Sequence, residues 1–151
     1  MRFHLVITAL AAMVVPASAS GGLSCSLEDQ SVRIAIESGV TRGMGGPVFN
    51  FRGTLEILDK AVPEDLRRTE FDGRHLPQYW LSERALQLHL YREREGDKPH
   101  GYVNLVIETQ AGDDEGLYGG SYRLTVFDTT GVTTGEAGIT ELSGEISCFV
   151  E

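Results

Sequence analysis

The stretch LSGEISCFV, residues 142–150, decides the fold class of this 151-residue chain. Apolar and polar side chains alternate along it, and this period of two is typical of a β-strand with one buried face. Cys148 lies on the apolar face. A similar stretch, LSCSL at residues 23–27, places Cys25 on an apolar face of its own. The two cysteines therefore mark the first and last strands of a region rich in β-structure.

The same alternation recurs between these two stretches. Turns rich in glycine, proline and acidic residues separate the runs, and no long amphipathic helix pattern appears. This spacing predicts an all-β domain of about seven to nine short strands. The further alternating runs cover residues 32–36, 49–57, 86–90, 103–107 and 122–126.

The two cysteines also predict how the ends of the chain meet. A disulfide requires two Cα atoms about 4.4–6.8 Å apart, so the first and last strands must be neighbours or face each other across the core. Neighbouring terminal strands would close a sheet and remove its edges. We therefore expect a single antiparallel barrel whose first and last strands are joined by Cys25–Cys148. A two-sheet sandwich is the alternative.

Residues 1–19 have the pattern of an export signal. Arg2 is followed by an apolar run at residues 5–15 and then by Ala17-Ser18-Ala19. The apolar run is shorter than the roughly 20 residues that cross a bilayer, and small residues at the end of such a segment are typical of a signal-peptidase site. We expect cleavage near Ala19, a single domain over residues 20–151, and a periplasmic or secreted protein with an oxidised disulfide. A permanent N-terminal anchor and lipidation of Cys25 are the alternatives.

The charge of the chain limits its partners. Without Arg2 the chain keeps 12 basic and 22 acidic residues, a formal net charge of −10. A strongly acidic protein is unsuited to non-specific contact with nucleic acid or anionic lipid, which both attract cationic surfaces. The sequence therefore predicts a soluble monomer with no nucleic-acid partner and no membrane span. Its partner is an unidentified protein or small molecule.

Residues 60–84 break the strand pattern and carry the candidate binding residues. Pro63 and the acids after it predict one helical turn. Arginine, tyrosine and tryptophan dominate binding hot spots, and this acidic chain concentrates them here. Arg92 and Arg94 extend the inward row of residues 86–90 and should lie at the mouth of the barrel. The candidate binding residues are Arg67, Arg68, Arg74, His75, Tyr79, Trp80 and Arg92.

A structural role for the same segment is the alternative. Phe71, Leu76, Tyr79 and Trp80 would then plug one end of the barrel, and the arginines would be solvated or pair with nearby acids. Residues 76–81 also fit an eighth strand that pairs with residues 86–94.

The sequence carries no recognisable catalytic or cofactor motif. His75, His89 and His100 lack the short spacing of metal ligands, and no Gly-x-Ser-x-Gly elbow is present. We therefore expect no metal, no cofactor and a non-enzymatic binding or interaction protein. The alternatives are a small periplasmic hydrolase whose site is assembled in space from residues such as His75, Arg74 and Glu93, and a purely structural envelope protein.

Overall fold

The computed structural model describes residues 20–41, 48–130 and 138–151. The predicted signal segment and its cleavage site after Ala19 lie outside them. The described residues form nine strands, one helical turn and one 3-10 turn. In chain order these are β1 Ser20–Glu28, β2 Val32–Thr41, β3 Val48–Ile57, α1 Glu64–Arg67, β4 Arg68–Asp72, the 3-10 turn Gly73–His75, β5 Gln78–Leu81, β6 Ala85–Glu93, β7 Gly101–Ala111, β8 Leu117–Asp128 and β9 Gly138–Val150.

The nine described strands belong to one antiparallel sheet that curls into a half-barrel. The strand order is β4-β3-β2-β1-β9-β8-β7-β6-β5, so the first and last strands are neighbours near the middle of the sheet. Cys25 lies directly opposite Cys148, and the two form a disulfide with Cα atoms 4.0 Å apart. The prediction of an all-β fold stapled at its terminal strands is confirmed.

Alternation places the core on the concave side of the sheet. Along β2 every second residue from Val32 to Val40 is buried while most of the residues between them are exposed. Every second residue is also buried along β7 from Gly101 to Thr109, and most of those between them are half-buried. The largest side chains with almost no exposed surface include Tyr122, Leu105 and Ile107. Burial of these inward-facing side chains excludes water from the concave side of the sheet and supplies the main free energy that stabilises the fold.

The predicted closure of the barrel is wrong. Among the described residues no backbone ladder joins β4 to β5 or β6, so the sheet keeps two edges. The two-sheet sandwich is also wrong, because the strands form one continuous sheet. Several strands are longer than the short ones that we expected, with 11–13 residues in β7, β8 and β9.

The segment that breaks the strand pattern contributes two strands. The predicted eighth strand is present as β5, which pairs with residues 86–89 of β6. β4 was not expected, because only Thr69 and Phe71 face the core along it and two inward residues give little alternation. No helix among the described residues is long and apolar enough to cross a membrane.

β4 and β5 pair with opposite edges of the curled sheet. β4 pairs with residues 52–56 of β3 and leaves residues 48–51 without a partner on that side. β5 pairs with residues 86–89 of β6 and leaves residues 90–93 without one. The chain therefore crosses the opening of the half-barrel at the 3-10 turn. We call this region, residues 68–81 with the unpaired parts of β3 and β6, the seam.

Candidate functional site

The helical turn before β4 fastens the segment to the core. Pro63 has φ −54° and precedes Glu64 and Asp65 at the start of α1, where acidic side chains oppose the positive end of the turn. The backbone N–H groups of Leu66 and Arg67 both donate to the carbonyl of Pro63. Leu66 is buried, so the predicted helical turn is confirmed and its apolar residue packs inward.

A capping arrangement holds the 3-10 turn where the chain crosses the seam. The Asp72 carboxylate accepts the backbone N–H of Arg74 at 2.9 Å, and the backbone N–H of Asp72 donates to Nδ1 of His75 at 3.0 Å. The Arg74 guanidinium also donates to both carboxylate oxygens. These hydrogen bonds from Arg74 lower the pKa of Asp72 to about 2. Arg74 and His75 therefore serve the turn itself.

Most of the other predicted arginines have partners within the protein. Arg68 lies 3.4 Å from Glu56 and 3.5 Å from Glu64. Arg92 reaches across the seam from β6 and donates to the backbone carbonyl of Glu70 in β4, and Glu95 lies 3.6 Å away. Arg67 is half-buried. A cationic patch is therefore largely neutralised by neighbouring carboxylates and carbonyls.

The two predicted aromatics of β5 are both exposed. Trp80 is 61% exposed and Tyr79 is 40% exposed. Phe71 is buried and Leu76 packs against the core, so the plug that we considered is formed by only two of the four residues assigned to it. Tyr79 and Trp80 are thus exposed neighbours on an edge strand, with Trp80 on its outer face and Tyr79 on the opposite face, toward the seam. We call this pair the aromatic ridge.

The Tyr79 side chain spans the part of the seam that lies between β5 and the unpaired start of β3. The backbone N–H of Val48 donates to the Tyr79 hydroxyl at 3.3 Å. This contact occupies the place where a backbone ladder would lie in a closed barrel. On the outer face beside it, a shallow groove of about 590 Å³ is lined by Gln78, Trp80 and His89 among others.

A buried ion-pair cluster lies at the opposite end of the seam and was not foreseen as a cluster. The Arg94 side chain is 2% exposed, and its guanidinium lies 2.6 Å from Asp65 and 2.8 Å from Asp128. It also donates to the carbonyl of Pro99 at 2.7 Å. Within the described ranges, Nη2 of Arg94 is buried without a hydrogen-bond partner. Arg94 thus connects α1, the β6–β7 turn and the end of β8.

The charges of this cluster shift the pKa values of both acids. Burial alone would raise the pKa of Asp65, but the hydrogen bond and charge of Arg94 outweigh it and lower the pKa. Burial is likewise outweighed at Asp128, where hydrogen bonds from Thr130 and Arg94 lower the pKa. Both carboxylates are therefore ionised and paired at neutral pH. The inward row of β6 indicated Arg94 at the barrel mouth, but no local pattern pairs it with acids 29 and 34 positions away.

The residues considered for a hydrolytic site have separate partners. His75 and Arg74 bind Asp72, as described above. The Glu93 carboxylate instead accepts the Tyr91 hydroxyl at 2.9 Å, on the outer face. In the part of the chain that the structure describes, no group of three or more His, Cys, Asp or Glu side chains is arranged to hold a metal ion.

Comparisons with known proteins add no assignment to this geometry: no protein-family model, curated protein or solved structure matches the chain.

Proposed function

We propose that this chain is an exported, non-enzymatic binding protein that recognises another protein through the aromatic ridge of Tyr79 and Trp80. The observation that carries the proposal is the 61% exposure of Trp80 on an edge strand. An indole in water loses the stabilisation that burial would give it, and tryptophan and tyrosine are enriched among residues that dominate binding energy. A surface that keeps both exposed at a sheet edge is suited to protein recognition.

The second part of the proposal is that the protein is exported and that its two cysteines are oxidised to a disulfide outside the cytoplasm. The apolar run at residues 5–15 followed by Ala17-Ser18-Ala19 is typical of a signal peptide, and the Cys25–Cys148 disulfide is stable outside the reducing cytoplasm. A formal net charge of −9 disfavours nucleic acid and anionic lipid as partners. The partner should therefore be sought among periplasmic, envelope or extracellular proteins.

The arginines predicted for this surface play a supporting part in the proposal. Arg74 fixes the turn before β5, and Arg92 ties β6 to β4. Their role is to position the ridge, while Trp80 makes the contact.

The test is an affinity capture from envelope extract with the oxidised protein as bait. Trp80→Ala is compared with Ile139→Ala, because Ile139 is 63% exposed and lies in β9, away from the seam. We expect a partner that wild type and Ile139→Ala retain and Trp80→Ala loses. A partner retained equally by all three proteins would refute the ridge as the binding surface.

A further inference from the structure

The strand β5 has backbone groups that its own sheet does not use. Across the turn that follows β5, the N–H of Ser82 donates to the carbonyl of Ala85 at 2.9 Å. Hydrogen-bonded and non-hydrogen-bonded pairs alternate along an antiparallel ladder. Counting back from Ser82 along the register, Trp80 and Gln87 form the next hydrogen-bonded pair. Tyr79 and Leu81, on either side of Trp80, belong to non-hydrogen-bonded pairs. The N–H and C=O groups of Tyr79 and Leu81 therefore point away from β6, into the seam.

In the described structure no backbone ladder closes the seam beside these groups. Paired strands lie about 4.8 Å apart, yet β5 and the start of β3 are joined in the described structure by the Tyr79 side chain and not by backbone bonds. On the β3 side the N–H of Val48 donates to the Tyr79 hydroxyl, so that edge also directs a donor into the seam. The groups that an additional strand would satisfy are therefore those of β5, since the Val48 N–H already has the Tyr79 hydroxyl as its partner.

The charge at the end of the sheet where β5 ends indicates what kind of additional strand would bind in the seam. The turn after β5 lies against the turn after β7, since the N–H of Ala111 donates to the carbonyl of Arg84, and the end of β9 reaches the same place through Val150 and Gly116. One basic residue, Arg84, is present there among the described residues. The acidic residues of this end are Glu83, Asp113, Asp114, Glu115 and Glu151; within the described structure none of them has an ion pair.

We propose that β5 binds an extended, positively charged segment of a partner protein by β-strand addition, with Trp80 packing on its outer face. This inference rests on the proposed function and adds the binding mode and the chemistry of the partner. Main-chain hydrogen bonds to Tyr79 and Leu81 give affinity, and cross-strand contact with Trp80 gives specificity. A second copy of this chain is disfavoured as the occupant, because it would bring two acidic ends together.

The test uses a phage-displayed library of random 12-residue peptides, panned on the oxidised chain. We expect enriched peptides in which apolar residues alternate with lysine or arginine, and affinities that fall as salt is added. In a resynthesised peptide, N-methylation at alternate positions should weaken binding about tenfold, the loss of one or two backbone hydrogen bonds. N-methylation at the positions between them should leave binding unchanged.

A matched pair of variants tests the protein side of the contact. Leu81→Pro removes an N–H that does not serve the β5–β6 ladder, which is where an edge strand tolerates proline. Leu81→Ala removes the same side-chain packing and keeps the N–H. We expect Leu81→Pro to bind the enriched peptides about tenfold more weakly than Leu81→Ala does. If Leu81→Pro fails to fold, the N-methylated peptides on the wild-type protein decide the question alone.

Three results would overturn strand addition: no enriched peptide, equal binding by the two Leu81 variants, or insensitivity to N-methylation at every position. A concentration-dependent dimer in place of peptide binding would overturn it as well. Loss of the captured partner in Trp80→Ala together with equal binding by the Leu81 variants would leave the ridge as the binding surface and remove the strand mechanism. Full retention by every variant would remove both.

Discussion

Reduction of the Cys25–Cys148 disulfide should cost at least about a third of the stability of this domain. The bond joins residues 123 positions apart. The chain-entropy relation for a loop of that length gives about 16.5 cal/mol/K, or about 4.9 kcal/mol at 25 °C. Small domains have a total stability of only about 5–15 kcal/mol. The reduced protein should therefore lie close to the midpoint of unfolding under mild denaturing conditions.

The loss should arise mainly in the unfolded state. β1 pairs with β2 at nine positions, and β9 pairs with β8 at twelve, so each terminal strand keeps a long ladder without the bond. Urea unfolding followed by tryptophan fluorescence, with and without reductant at pH 7, measures the difference. We expect a fall of about 4–5 kcal/mol and a slightly larger m-value, because the reduced unfolded chain is more expanded. A fall below about 2 kcal/mol would contradict the loop-entropy reasoning.

A circular permutant separates the entropic effect from loss of folded contacts. The backbone N–H of Glu151 donates to the carbonyl of Gly22, so a four-residue linker can join residue 151 to residue 20, with new ends between Gly96 and Asp97. The disulfide then closes a loop of about 14 residues and should contribute about 3 kcal/mol. An undiminished contribution of about 5 kcal/mol in the permutant would place the effect in the folded state.

Three further changes test the core and the buried ion-pair cluster. Arg94→Met should cost about 3 kcal/mol in urea unfolding at pH 7, because it leaves the Asp128 carboxylate without its ion pair and leaves Asp65 with Lys98 alone, 3.5 Å away; a stability equal to that of wild type at pH 7 would refute this. The pKa values of both acids are lowered on folding, so their contribution is present above their ordinary pKa of 3.8 and is lost as the pH falls below it; the loss between pH 4 and pH 2 should be smaller in Arg94→Met than in wild type. Gly101→Ala should cost about 1–3 kcal/mol, since a Cβ would lie 2.9 Å from Nη1 of Arg94, and the cost should shrink in an Arg94→Ala background. Leu105→Ala should cost about 2–5 kcal/mol by leaving a cavity in the core, and a cost near zero would mean that the inward row of β7 is wrongly placed.

The strands were predictable because their buried residues alternate. The predicted run 49–57 is an exception at its start, where Asn50 has a φ of 51° and Phe49 is 39% exposed, so the alternation in β3 begins at Phe51. Each pattern along β2, β3, β7 and β9 gives both the strand and its inward face, and Cys25 and Cys148 then give the pairing of the ends. Closure was not predictable in the same way. Whether the last edge pairs depends on residues 68–81, where the alternation holds for two inward residues in β4 and for a four-residue β5. Whether such short strands pair with a distant edge depends on the geometry of the whole sheet, which the local sequence does not show.

The candidate site could be predicted only in part from the sequence, for a related reason. Composition singled out residues 60–84 as the unusual segment, but it could not distinguish an arginine that would contact a partner protein from one that pairs within the chain. Arg74 binds an acid two positions away, while Arg68 and Arg92 reach across strands. The exposure of Trp80 was also not predictable, because Tyr79, Trp80 and Leu81 are three apolar residues in a row and show no alternation that would assign one of them to the outer face.

The ridge and the seam have a common origin in the way the chain crosses the opening. Closing the barrel would require residues 68–81 to pair with β3 and β6 along their whole length. Asp72 instead caps a 3-10 turn at residues 73–75, and Pro77, which has no N–H to give to a ladder, follows before β5 begins. The chain thereby changes from the β3 edge to the β6 edge within five residues. That change leaves half of each border unpaired and places Trp80 at the free edge, so the interruption that prevents closure is also what creates a surface able to bind another strand.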